Sequence, residues 1–175
     1  MRLFVPLLLL ALAPGAIVAA PVEGLWLTEE DKSLVQVEVI DDELTGRVYA
    51  LRDPVFRADE NTGRDGQLRV DMYNEDENYR ERRIVGLKFL WGFSFEDGKW
   101  RHGRAYDPES GKTYRAVLNQ VLPDVVELRG YIGTPLFGRT TSWRRVSECE
   151  AVVQQMFIRT GVTHPVCEAE DQKVL

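Results

Sequence analysis

The sequence predicts an all-β fold, an up-and-down antiparallel barrel of about eight strands followed by a C-terminal α-helix. Three observations carry this. Apolar and polar residues alternate at a period of two through most of the chain, the spacing of half-buried strands. Turn-forming groups separate the alternating runs at short intervals: Asp41-Asp42-Glu43, Asp97-Gly98, Leu122-Pro123-Asp124 and Gly133-Thr134-Pro135. A helical period occurs only after Val146.

The first twenty residues stand apart from this pattern. They hold one Arg, an unbroken apolar run from Leu3 to Leu12, a Pro14-Gly15 break and small residues ending at Val18-Ala19-Ala20. The run is too short to span a bilayer, and Val18 and Ala20 suit the −3 and −1 places of a cleavage site. Residues 1–20 are therefore expected to be a signal peptide cut after Ala20, which makes the protein periplasmic or secreted. No Cys follows the apolar run, so neither a lipid anchor nor a stable membrane anchor is expected. Cleavage removes one positive charge and moves the net charge from −6 to −7. The remaining 155 residues suffice for a self-standing core. The acidic balance argues against nucleic acid and anionic membranes, which need clustered Lys and Arg.

A barrel domain is expected over residues 21–146. Gly24 to Leu27 forms a short strand, and Val35, Val37 and Val39 alternate along the next. Leu44 to Leu51 returns, with Gly46 as a bulge. Arg52 to Gly66 is a long polar loop near a sheet end, of the kind that is either a functional lid or disordered. Within it Asp59-x-Asn61-x-Gly63-x-Asp65 resembles a calcium loop, but Arg64 stands where the turn glycine belongs and Val70 where the bidentate Glu belongs. Gln67 to Tyr73 reads as a further short strand. Val85, Leu87, Phe89, Trp91, Phe93 and Phe95 then alternate into Asp97-Gly98, a pair that suits a type I′ hairpin. That turn sets Phe95 against Trp100, Phe93 against His102, Trp91 against Arg104 and Phe89 against Tyr106 on one face. Three more strands follow over Thr113 to Val121, Val125 to Ile132 and Leu136 to Val146.

Residues 147–175 form a tail. Ser147 and Glu150 have the spacing of a capping box, and a helix is expected to Arg159 with its stop at Gly161. Val152, Val153, Met156 and Phe157 give it an apolar stripe for the outside of the barrel. Cys149 and Cys167, the two cysteines, pair by default in an oxidising compartment. The rival, a metal site completed by His164, lacks a fourth ligand.

Gly24-x-Trp26, with an Arg after Trp143 on the last strand (Arg144 or Arg145), resembles the lipocalin signature. A longer set of residues is similar to a family of small secreted bacterial proteins known only as a domain of unknown function. It comprises Asp71-x-x-Asn74, Arg82-x-x-x-Gly86-Leu87, Trp100-x-x-Gly103-x-x-Tyr106-Asp107-Pro108-x-x-Gly111-Lys112-x-Tyr114, and Arg129-Gly130-Tyr131-Ile132-Gly133-x-Pro135-Leu136-x-Gly138-Arg139-Thr140-x-x-Trp143-x-Arg145. The resemblance implies a lipocalin-like barrel, with Gly24, Trp26 and Arg145 as structural residues. It implies no reaction.

An internal pocket lined by Phe89, Trp91, Phe93, His102, Arg104 and Tyr106 is the expected site for a small apolar or amphipathic ligand. Arg104 would pin a carboxylate or phosphate head. The rival is a filled barrel in a non-enzymatic envelope protein that meets a protein partner through its tail. In that reading Asp71, Asn74 and Arg82 form a turn-stabilising network. No enzyme is expected: His102 and His164 are the only histidines, and no Gly-x-Ser-x-Gly or His-Glu-x-x-His motif occurs. No cofactor is expected either.

Overall fold

Eight strands run up and down in sequence order and close on themselves, as the computed structural model shows for residues 21–163 and 167. They are β1 (Gly24–Leu27), β2 (Ser33–Ile40), β3 (Glu43–Leu51), β4 (Lys88–Glu96), β5 (Lys99–Asp107), β6 (Lys112–Leu122), β7 (Val125–Tyr131) and β8 (Arg139–Val146). β8 pairs antiparallel with β1, so the sheet has no free edge. Helix α1 (Ala151–Thr160) follows. Residues 1–20, expected to be a signal peptide, and His164 lie outside the described residues.

Two apolar clusters show how the alternation is used. All eight strands contribute to the first, which includes Trp26, Val35, Leu44, Phe93, Ala105, Leu118, Val126 and Trp143, and a cluster shared in this way is the barrel interior. The second joins Leu25, Leu27, Leu34, Ala50 and Val146 to Val153, Met156 and Phe157 of α1. The helix therefore packs on the outer face of β1 to β3, as its stripe predicts. Gly161, in the left-handed conformation at φ 70°, ends it. Its start is later than expected. The Ser147 amide donates to Glu150 Oε1 at 3.0 Å, half of a capping box, but Glu150 is the residue that caps the helix. The Cys149–Cys167 disulfide ties the tail to this start, with Cα atoms 5.5 Å apart.

The β4–β5 hairpin has the expected turn, with Asp97 at φ 50° and Gly98 at φ 76°, and the expected pairs Phe95–Trp100 and Trp91–Arg104. The single aromatic face does not survive. Between those pairs Gly92 and His102 take positive φ, and the β3–β4 register shifts twice. Each irregularity turns the following side chains over. Leu90 and Phe93 consequently point into the core, while Trp91 packs against a third cluster around Ile84 and Leu87, and Phe95 is exposed. Gln67 to Tyr73 is not a strand either. It makes only the isolated bridges Val55–Leu68 and Val70–Arg83, because its partners belong to its own loop.

Candidate functional site

The two ends of the barrel differ. Tight turns at 41–42, 97–98 and 123–124 close one end, where the Arg145 guanidinium lies 4.3 Å from the centre of the Trp26 ring. Arg145 donates to the carbonyls of Pro21, Glu23 and Pro123, and the Trp26 ring N–H donates to Val22 O at 2.8 Å. Gly24, at φ 125°, admits this plug: a Cβ there would stand 2.8 Å from Arg145 Nη1. The middle of the barrel is also filled, since the Phe93 ring occupies the space above Gly103, where a Cβ would come within 2.3 Å of it.

The other end carries the long connections 28–32, 52–87, 108–111 and 132–138. Among them a cavity of about 640 Å³ opens into the barrel. Val35, Val48, Phe89, Ala105, Leu128 and Trp143 form its apolar wall, and the Phe89 and Trp143 rings meet at 6.1 Å. At the rim Lys32 pairs with Glu30 at 3.1 Å and Arg139 with Glu29 at 3.8 Å, so the mouth cations are already neutralised. Ile132 and Phe137 stand exposed at its lip.

Of the six residues expected to share a pocket, Phe89 and Tyr106 line this cavity. The other four do not, and for Phe93 and His102 the reason is the alternation broken at Gly92 and His102. Phe93 is a buried filler below it. Trp91 and Arg104 pair with each other away from it. His102 sits on the surface, 3.0 Å from Glu96 Oε2. Arg104 therefore pins no head group in this cavity. Val35, Val48, Leu128 and Trp143, outside the β4–β5 hairpin, also line the cavity, and their signal in the sequence is the same period of two on β2, β3, β7 and β8.

Tyr106 also anchors the 52–87 connection. Its hydroxyl donates to Asp71 Oδ1 at 2.5 Å and accepts from Asn74 Nδ2 at 3.0 Å. Asp71, fully buried, takes Arg82 Nη2 on its other oxygen. Burial, then the bond to Asp71, pushes the Tyr106 hydroxyl up to about 12. The connection itself is laced by ion pairs. Arg69 forks onto Glu60 at 2.6 and 2.9 Å, and Arg64 pairs with Glu81. Asp59, first of the calcium-like spacing, pairs with Arg57, and Asn61 donates to the Asp59 carbonyl. Between this connection and the barrel rim lies a second cavity of about 380 Å³.

The sequence model of a family described as "Uncharacterized protein conserved in bacteria (DUF2147)" matches residues 24–145. Among solved structures the chain is similar to protein HP1028 from the human pathogen Helicobacter pylori, described as belonging to the lipocalin family. The identity is 22%, the TM-score 0.58, and the match covers 74% of this chain and 85% of that one. This is a likeness of fold. No curated protein matches the chain.

Proposed function

This chain belongs to the family of uncharacterised proteins conserved in bacteria (DUF2147), and we propose that it is an exported protein that binds a small apolar or amphipathic molecule in the open end of its barrel. The observation that carries the reading is the cavity of about 640 Å³ with an apolar wall from β2, β3, β4, β5, β7 and β8. It falls within the range of small-molecule sites, about 300–1,000 Å³. The filled middle and plugged end restrict the ligand to the mouth. Export is supported by the leader-like first twenty residues and by the disulfide in the tail. The reading is non-enzymatic and assigns no catalytic residue.

Ala105 offers the direct test, because its small side chain leaves the cavity open between Phe89 and Tyr106 on the neighbouring positions. The neutral fluorophore N-phenyl-1-naphthylamine should bind saturably to the processed protein and be displaced by decanol. Ala105→Trp should weaken binding about tenfold or more, as expected when over 1.4 kcal/mol of contact is lost. Ala105→Leu provides a milder filling if the larger residue impairs folding. Unsaturable binding, or affinity unchanged in both variants, would refute the reading.

A further inference from the structure

The smaller cavity adjoins the mouth: Lys32, Ser33, Ile84, Pro108 and Glu109 line both. Resting on the binding function proposed above, we infer that the two form one site, in which the smaller cavity takes an uncharged, polyhydroxylated head such as a sugar and the barrel mouth takes the apolar tail. Two observations point to that chemistry.

The first is how its charges are committed. Arg52 donates to the Glu30 carbonyl at 2.6 Å and lies 3.5 Å from Asp53. Arg57 forks onto Asp59 at 3.1 and 3.3 Å. Arg69 forks onto Glu60 and also donates to the Asp53 carbonyl at 2.7 Å. Lys32 pairs with Glu30. An anionic head would have to pull a guanidinium out of an existing pair. A cationic head would compete with those same guanidinium groups for Asp53 and Glu60; among the described residues Glu109, on the border with the mouth, is the lining carboxylate outside these pairs. Hydroxyl groups add to such pairs without disturbing them, because a carboxylate retains acceptor lone pairs and the hydroxyl both donates and accepts.

The second observation is the aromatic floor. Tyr73 lines the cavity with about half of its surface exposed, beside Phe56 and Met72. The C–H face of a sugar ring stacks on such a surface through dispersion, while its hydroxyls reach the flanking charged groups. The apolar floor and the wall of largely paired charges together match a molecule that is apolar on its faces and hydroxylated around its edge.

Competition among amphiphiles with the same tail tests this. Decanol, decyl glucoside, decyl sulfate and decyltrimethylammonium, all below their micellar concentrations, should displace N-phenyl-1-naphthylamine from the processed protein. The glucoside should compete about tenfold better than decanol, the gain expected from one or two well-made hydrogen bonds. Tyr73→Ala should reduce the glucoside to the level of decanol while leaving decanol unchanged, and Tyr73→Phe should keep the preference. Equal or better competition by the sulfate or the ammonium compound overturns the inference but leaves the barrel reading intact. So does a glucoside preference that survives in Tyr73→Ala. Failure of all four compounds overturns both.

Discussion

Replacing Tyr106 by Phe removes one oxygen from the network that fastens the 52–87 connection to β5, and the loss is expected to depend on pH. At neutral pH the variant forfeits a hydrogen bond to a fully buried carboxylate, although Asn74 and Arg82 still hold Asp71. Bonds to charged groups contribute about 1.5–3 kcal/mol, so a destabilisation of about 2 kcal/mol is expected at pH 7. The hydroxyl's pKa rises on folding from 10 to about 12. Below pH 10 both folded and unfolded chains carry the proton, and the contribution is complete. Between pH 10 and 12 the unfolded chain releases the proton while the folded chain keeps it, so stability falls as pH rises. At 1.36 kcal/mol per unit this amounts to about 2–3 kcal/mol across the window. Urea unfolding of the parent and Tyr106→Phe, followed by tryptophan fluorescence at pH 7 to 11.5, measures the difference directly, since the two chains differ only in that hydroxyl. The advantage of the parent should be constant up to about pH 9.5 and then shrink. Parallel curves, or equal stability at pH 7, would refute the role given to the Tyr106–Asp71 bond.

Gly103→Ala places a methyl within 2.3 Å of the Phe93 ring, which is itself buried. Overpacking of this kind costs about 1–3 kcal/mol, a fall in Tm of about 3–10 °C for a domain of this size. Adding Phe93→Leu should recover part of it, and additive effects in the double-mutant cycle would contradict the contact. Replacing both Cys149 and Cys167 by Ser opens a loop of separation 18 and should cost about 3 kcal/mol in guanidinium unfolding. Dithiothreitol should lower the parent to the same level and leave the variant unchanged.

The barrel was legible because its turns announce themselves locally. Asp97-Gly98 fixes the β4–β5 register by its need for two positive φ angles, and Asp41-Asp42 does the same for β2–β3, at φ 51° and 62°. The helix stop at Gly161 is equally local. The site was less legible, since it depends on which of many period-two positions the rest of the fold leaves uncovered. Gly92 marked one interruption of the aromatic face, but nothing in the identity of His102 announced a positive φ, and together they separate Phe93 and His102 from the expected face; Trp91 and Arg104 keep their expected pair but lie away from the cavity. Gln67 to Tyr73 misled for a related reason: alternation records exposure on two faces, not the presence of a strand to pair with. Tyr106 was picked out as a pocket residue, yet its hydroxyl's tie to Asp71 joins positions 35 apart and follows only from the folded connection.

The plug at the closed end also has a bearing on how the barrel holds together along its circumference. Seven of the eight strand contacts join neighbours in sequence, whereas the eighth sets Leu25 against Val146. Each doubling of the intervening chain costs about 0.6 kcal/mol, so this seam costs about 2 kcal/mol more in closure entropy than a hairpin of ten residues or so. It is also short, with only three paired positions between β1 and β8. Trp26 and Arg145 are themselves partners across it, and the Arg145 guanidinium reaches on to Pro21 and Glu23 ahead of the first strand. The stacked pair thus serves as a clasp at the most entropically expensive joint of the molecule, binding the residues just ahead of the first strand to the last strand.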